Sequence, residues 1–215
     1  MTFSILGRCA RTGMFGLVVT TSSPAVGSRC GYVAAGVGAA LTQNRTDPRL
    51  GPLAIDLLKR EYTAKQAIAA IVAATPYHRW RQLACIDRQG ETAAFTGASV
   101  KPEHNEAHGL NCVSIANIVR STGVPAAMVQ AFENDQSAPL PVRLLEALEA
   151  GERAGSEFVP LVSAALLVSH EHAFPYVDLR VDSDAQPIAR LRALWEEYQP
   201  MADLYVTRAI DPDSL

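Results

Sequence analysis

Two short β-rich runs, Phe3–Arg8 and Met14–Thr20, flank Arg11-Thr12-Gly13. A Gly-closed tight turn between such runs predicts an antiparallel hairpin. The first strand begins at Thr2. A chain end frays unless a sheet holds it, so the hairpin predicts a Thr fixed at a strand end. Thr2 is small enough for a preceding Met to be removed routinely. Removal would leave an α-amine and a secondary hydroxyl on one residue. An α-amine titrates near pH ~8, so much of it is a base at neutral pH. That pair is one way to activate a Thr hydroxyl as a nucleophile. A Thr that is merely a β-former gives the same local pattern, so the rest of the chain has to decide.

Beyond Thr20 the hydroxyls Ser22 and Ser23 and then Pro24 end the second strand. Val33–Leu41 predicts a small-residue apolar strand, with Gly36 and Gly38 marking close approach of another backbone. A polar loop from Thr42 to Pro48 leads through Gly51-Pro52 into a helix with Leu53, Leu57 and Leu58 on one face. Amides at such a strand-to-helix junction can face developing negative charge, which makes Gln43 and Asn44 oxyanion candidates. Thr63-x-x-Gln66 has capping-box spacing and predicts a helix to Ala74.

Gln82–Asp87 and Glu91–Phe95, joined at Arg88-Gln89-Gly90, predict a second hairpin. Lys101–Gly109 is expected to be polar loop, and Cys112–Ile118 another strand. A helix follows from Pro125 with Met128 and Phe132 inward. A second, from Pro141, buries Leu144, Leu145 and Leu148 and stops at Gly151. Leu161–Ser169 and Tyr176–Asp182 predict strands, the latter with Asp178, Arg180 and Asp182 on one face. A last helix runs from about Ile188 to Tyr198. Strands, helix pair, strands, helix pair, strands, helix, with hairpin joints, predict an α+β fold. Its form is a four-layer αββα sandwich of two mainly antiparallel sheets with outer helices.

The chain has 215 residues, 48% hydrophobic and 19% charged, with net charge -3. That composition is expected to give one globular domain over residues 1–215, ending in a short helix and tail. No basic run or basic-aromatic stripe points to nucleic acid. No segment approaches the ~20 apolar residues of a membrane helix, and no leader pattern opens the chain. A cytoplasmic location is expected, with no membrane partner. Cys9, Cys30, Cys85 and Cys112 form no CxxC pair and are expected to stay reduced.

His104, His108 and Cys112 are spaced four apart, but Gly109 and the strand-like CVSIAN argue against a helical metal face, and HNEAH is not HExxH. No metal and no cofactor are expected.

The order of elements resembles the N-terminal-nucleophile (Ntn) hydrolase superfamily. Within it, MTFSI, FGLVVTTSSPAVGSRC, AGVGAALTQNRTDPRLG, AAFTGA, EAHGLNCVSIANIV, GVPAAMVQAFE and VDLRVDSDAQPIARLRALWEEY resemble the bacterial domain-of-unknown-function family DUF1028. The likeness spans nearly the whole chain. It implies that Thr2 is the nucleophile, with Ser22 orienting it and Asn44 in the oxyanion hole. Asn117 lines the site and Glu157 steadies the amine. Ser23, Gln43 and His108 are the candidate substrate-binding residues. The chain departs from the family at Leu161, where a polar residue is usual.

The expected activity is hydrolysis of a small amide through an acyl-enzyme on Thr2. The alternative is a non-catalytic binding or assembly module on the same fold. A homodimer or higher homo-oligomer is expected.

Overall fold

The computed structural model describes residues 1–214. Leu215, the last residue of the expected domain, lies outside them. The chain opens with β1 (Thr2–Arg8) and β2 (Phe15–Thr21), closed by a turn in which Gly13 adopts φ +74 and donates its N–H to Cys9 O at 2.8 Å. Next come β3 (Gly31–Ala34), β4 (Gly38–Gln43), α1 (Leu50–Lys59), α2 (Ala64–Ala74), β5 (Gln82–Asp87) and β6 (Thr92–Thr96). The second half runs β7 (His104–Gly109), β8 (Cys112–Asn117), α3 (Val124–Asn134), α4 (Leu140–Arg153), β9 (Ser163–Ser169), β10 (Val177–Val181), α5 (Pro187–Tyr198) and α6 (Ala202–Ile210).

One sheet has the order β10-β9-β2-β1-β8-β7 and the other β3-β4-β5-β6, with antiparallel pairing throughout. Three apolar layers then follow from strand alternation. Phe3 and Ile5 of β1 join Met128 and Phe132 of α3 and Leu144 and Leu148 of α4 beneath the six-stranded sheet. Leu6 points the other way and packs with Leu17, Val19, Leu41, Ile86 and Ile115 between the sheets. Leu58, Ile68 and Ile71 of α1 and α2 cover the outside of the four-stranded sheet with Leu83. The αββα sandwich is therefore the observed architecture. No helix among the described residues is long and apolar enough to cross a membrane.

Thr63 caps α2 through both bonds of the capping box. All four cysteines are free and buried.

Several expectations fail for local reasons. Val33–Leu41 is not one strand but the end of β3, a turn and the start of β4. Gly36 takes φ +66 there, and a Cβ on Gly38 would stand 2.2 Å from Ile86 O. Gly38 thus serves close strand approach, and Gly38→Ala is expected to destabilise the protein by roughly 1–3 kcal/mol in thermal unfolding. In α1 the inward face is Leu50, Ala54, Ile55 and Leu58, while Leu53 is exposed.

Lys101–Gly109 is not all loop. His104–Gly109 forms β7, an edge strand whose polar, half-exposed residues hide the strand pattern. Gly151 does not end α4. It lies inside the helix, where a Cβ would meet Met128 Cγ at 2.9 Å and Phe3 Cδ2 at 3.0 Å. Pro200 breaks the last helical stretch into α5 and α6 through a 3-10 turn at Gln199–Met201.

Candidate active site

β1 delivers Thr2 to the inner face of the six-stranded sheet, at the open end of the cleft between sheets. Its neighbours there are set by register. On one side Thr2 pairs with Asn117 of β8. On the other, the β1–β2 pairing puts Phe3 opposite Thr20, and one step further Thr2 meets Thr21. Thr2 Oγ1 lies 3.4 Å from Thr21 Oγ1. Both hydroxyls donate to the Met1 carbonyl oxygen.

Thr2 lines a cavity of about 550 Å³ with Met1, Thr21, Ser22, Ser23, Cys30 and Asn44, and with Arg29, Arg45 and Arg81.

The loop after β2 is pinned from outside. Ser163 Oγ donates to Ser23 O at 2.7 Å and accepts from Val26 N at 3.0 Å. Glu157 is held by an isolated bridge between Val119 and Glu157, and Arg120 Nε donates to its carbonyl at 2.7 Å. Its carboxylate accepts the Ser22 N–H at Oε2, 3.0 Å away, and Oε1 has no partner among the described residues.

Burial pushes the Glu157 carboxyl above the usual carboxylate range, against the Ser22 hydrogen bond and the N-terminal charge. Burial also holds the Met1 α-amine below its usual value, opposed by the Glu157 charge. Burial raises the Cys30 thiol, which favours the weakly nucleophilic protonated form of the cavity's one thiol.

Behind Thr2 a chain of buried side chains ties the sheets together. Ser4 Oγ donates to Gln43 Oε1 at 2.9 Å, and Gln43 Nε2 donates to Gln82 Oε1 at 2.8 Å. Asn117 Nδ2 donates to the same Gln82 oxygen at 3.0 Å, and Gln82 Nε2 donates to Ala116 O at 3.0 Å. Asn117 Oδ1 has no partner among the described residues. Gln82→Ala would leave Asn117 Nδ2 without its acceptor and Gln43 Nε2 with only Ile115 O. We expect a loss of roughly 3 kcal/mol in denaturant unfolding.

Backbone strain concentrates around this end. Ala25, Asn44, Arg45, Ile118 and Ser156 all have φ between +41 and +55. Among the described non-glycine residues only Glu61 and Asn111 share that region elsewhere. A β-branched residue there is an outlier, and Ile118 turns the chain directly after Asn117. Such strain gathers where surrounding structure over-determines a site.

The structure thus brings together Thr2, Ser22, Ser23, Asn44, Asn117 and Glu157. Asn44 donates one amide hydrogen to Trp80 O at 2.7 Å, leaving the second for a ligand. Two expected contacts fail. Gln43 is fully buried, with both ends of its amide engaged by Ser4, Gln82 and Ile115 O, so it is a sheet-to-sheet tie rather than a substrate contact. His108 is four residues along β7 from His104, the partner of Asn117, or ~13 Å down the strand. It bonds Thr92 Oγ1 at 2.7 Å on the sheet surface, outside the cavity.

Leu161 packs in the helix-side core and does not line the Thr2 cavity, so the departure from the family's usual polar residue leaves the cavity wall unchanged. Thr21 was the missed hydroxyl, although hairpin register alone points to it. The arginines carried no local signal, because tertiary folding alone gathers them. His104 and His108 lie on a strand and Cys112 is buried on the next. Among the described residues no three His, Cys, Asp or Glu side chains cluster as a metal site.

A family model described as "Family of unknown function (DUF1028)" matches residues 2–191. A crystal structure of a Silicibacter pomeroyi protein, ascribed to the same family model, is similar at TM-score 0.86 and 30% identity, covering 92% of this chain and 85% of that one. The ancestral beta-subunit Anbu of Yersinia bercovieri matches at TM-score 0.42 and 11% identity, over 95% of this chain and 96% of that one. No curated protein matches the chain.

Proposed function

The chain belongs to the family of unknown function DUF1028, and on that premise we propose that it is an amidohydrolase of the N-terminal-nucleophile type, with Thr2 as nucleophile once Met1 is removed. The observation that carries this reading is the place of Thr2. A hydroxyl on the first strand residue sits at the mouth of the inter-sheet cleft, beside a second hydroxyl and a buried carboxylate.

Removing Met1 leaves the Thr2 nitrogen as the terminal amine and vacates the space that the Met1 carbonyl fills between the two hydroxyls. Burial lowers the present terminal amine, and burial of the new one would likewise favour the uncharged form that accepts a proton. Thr2 Oγ1 attacks the amide carbon as its proton passes to that amine. The carbonyl oxygen becomes an oxyanion, with the second Asn44 amide hydrogen as its donor. The intermediate collapses as the α-ammonium returns the proton to the leaving nitrogen, giving an ester on Thr2 and a free amine. Water, deprotonated by the α-amine, then attacks the ester and releases a carboxylic acid.

Glu157 is a positioning residue here. Its charge sits near the amine, and its Oε2 fixes the Ser22 backbone beside Thr21. The cytoplasm is the proposed compartment, and the substrate is a small molecule.

The reading is tested by preparing the chain with Met1 retained and after aminopeptidase trimming, and offering both a panel of small amides. Turnover confined to the trimmed chain is expected. Equal turnover by the Met1-retaining chain would contradict the amine's role.

A further inference from the structure

We propose that the amide cleaved at this site carries a carboxylate, held by Arg29, Arg45 and Arg81 at the cavity mouth; the inference rests on the amidohydrolase reading of the same cavity. The chain's net charge is -3, yet the cavity lining holds three guanidinium groups and no acidic side chain. A positive mouth on an acidic protein is a local field that selects anions.

Arg29 and Arg45 are held in place without a carboxylate partner. Arg29 donates to Pro24 O at 2.6 Å, Ala25 O at 2.7 Å and Ser23 Oγ at 2.7 Å, all neutral acceptors. Arg45 lies over the Trp80 ring, 4.0 Å from its centroid. Among the described residues neither Arg29 nor Arg45 forms an ion pair.

Arg81 has a carboxylate within reach, Asp47, but at 3.7 Å. Asp47 is already gripped by Arg49 through two bonds of 2.9 and 2.8 Å. Those bonds hold its carboxyl below the usual range. The Arg81 side chain is 13% exposed, and its Nε is buried with no acceptor among the described residues. Arg81 Nη1 donates to the Arg45 carbonyl, which ties Arg81 to the Arg45 loop. A planar carboxylate matches a guanidinium fork in two parallel bonds, and Arg45 offers one that has no carboxylate partner among the described residues. Ser23 and Thr46 hydroxyls line the same wall. The cavity volume of about 550 Å³ suits a metabolite-sized molecule. A carboxylate held by these groups leaves the amide in the same cavity that Thr2 lines.

The test uses the Met-free Thr2→Ala chain, which binds without turnover. N-acetyl amino acids of varied side chain are compared with their neutral primary amides, read by calorimetry and by Trp80 fluorescence. At least one acid is expected to bind about ten- to hundredfold tighter than its amide at low salt, with the preference shrinking as salt rises. Arg29→Gln and Arg45→Gln, both away from the core, should each bring acid and amide to within about threefold, and Arg81→Gln should do so most completely.

No acid binding, equal binding of acid and amide, an unchanged preference in all three variants, or inorganic phosphate outcompeting every acid would overturn the proposal. Acid-selective binding without any wild-type turnover would instead sink the catalytic reading. Turnover of neutral amides with no acid preference would sink this inference alone.

Discussion

Thr2→Ala is expected to abolish amide turnover, by roughly 10⁴-fold or more, while the protein stays as stable as the parent. The Thr2 hydroxyl bonds only the Met1 carbonyl and the Thr21 hydroxyl, and it contributes to none of the three apolar layers. Ala at position two still permits Met removal and keeps the terminal amine, so the variant isolates the oxygen. Thr2→Ser restores an oxygen in the same place and should recover part of the rate. Steady-state kinetics with a thermal melt of each variant checks both halves. A Thr2→Ala chain that turns over normally would leave the hydroxyl without a role.

Glu157→Gln is expected to separate activity from stability. Burial places the folded carboxyl above its ordinary value of 4.5. A raised carboxyl favours the protonated form in the fold, so its contribution to stability is complete below the unfolded value and is lost as pH rises through the folded one. At neutral pH the buried charge is therefore a cost, and Oε1 has no compensating partner. Gln does not ionise. The variant should unfold at a higher temperature than wild type at pH 7, and the difference should fade towards about pH 4.

Activity should move the other way. Without the Glu157 charge the terminal amine loses the interaction that raises it. The acidic limb of the pH–rate profile then shifts to lower pH, and turnover falls roughly 10²-fold. A gain in stability with a loss of rate is the signature of a carboxylate kept for chemistry. Unchanged kinetics would reduce Glu157 to a loop anchor.

Much of this architecture was legible because local signals agreed with one another. The hairpin turn at Arg11–Gly13, the Thr63–Gln66 box and the inward Met128 and Phe132 all lead to observed elements. Where the reading failed, one residue type had two uses. Gly36 and Gly38 both read as close approach of another backbone, which holds at Gly38 while Gly36 closes the β3–β4 turn, and Gly151 reads as a helix stop although it lets α4 press on Phe3 and Met128. Polar His104–Gly109 forms a strand because it is an edge, where hydrophobic alternation is not required.

The site was half legible for a related reason. Thr2, Ser22, Asn44 and Glu157 sit at element ends, which sequence can locate. Gln43 differs from Asn44 by one position, and strand alternation sends it into the core while its neighbour lines the cavity. Arg29, Arg45 and Arg81 come from three separate loops, and the pairing of β3 with β4 and of β4 with β5 brings them to one end of the four-stranded sheet.

The most direct measurement is the site of covalent capture. Met-free protein is treated with an electrophilic carbonyl probe, digested and mapped by mass. The account predicts one adduct, on the hydroxyl of Thr2, lost in Thr2→Ala and absent when Met1 is retained. An adduct on Cys30 instead, or a fully active enzyme that Thr2 never joins to the probe, would contradict it.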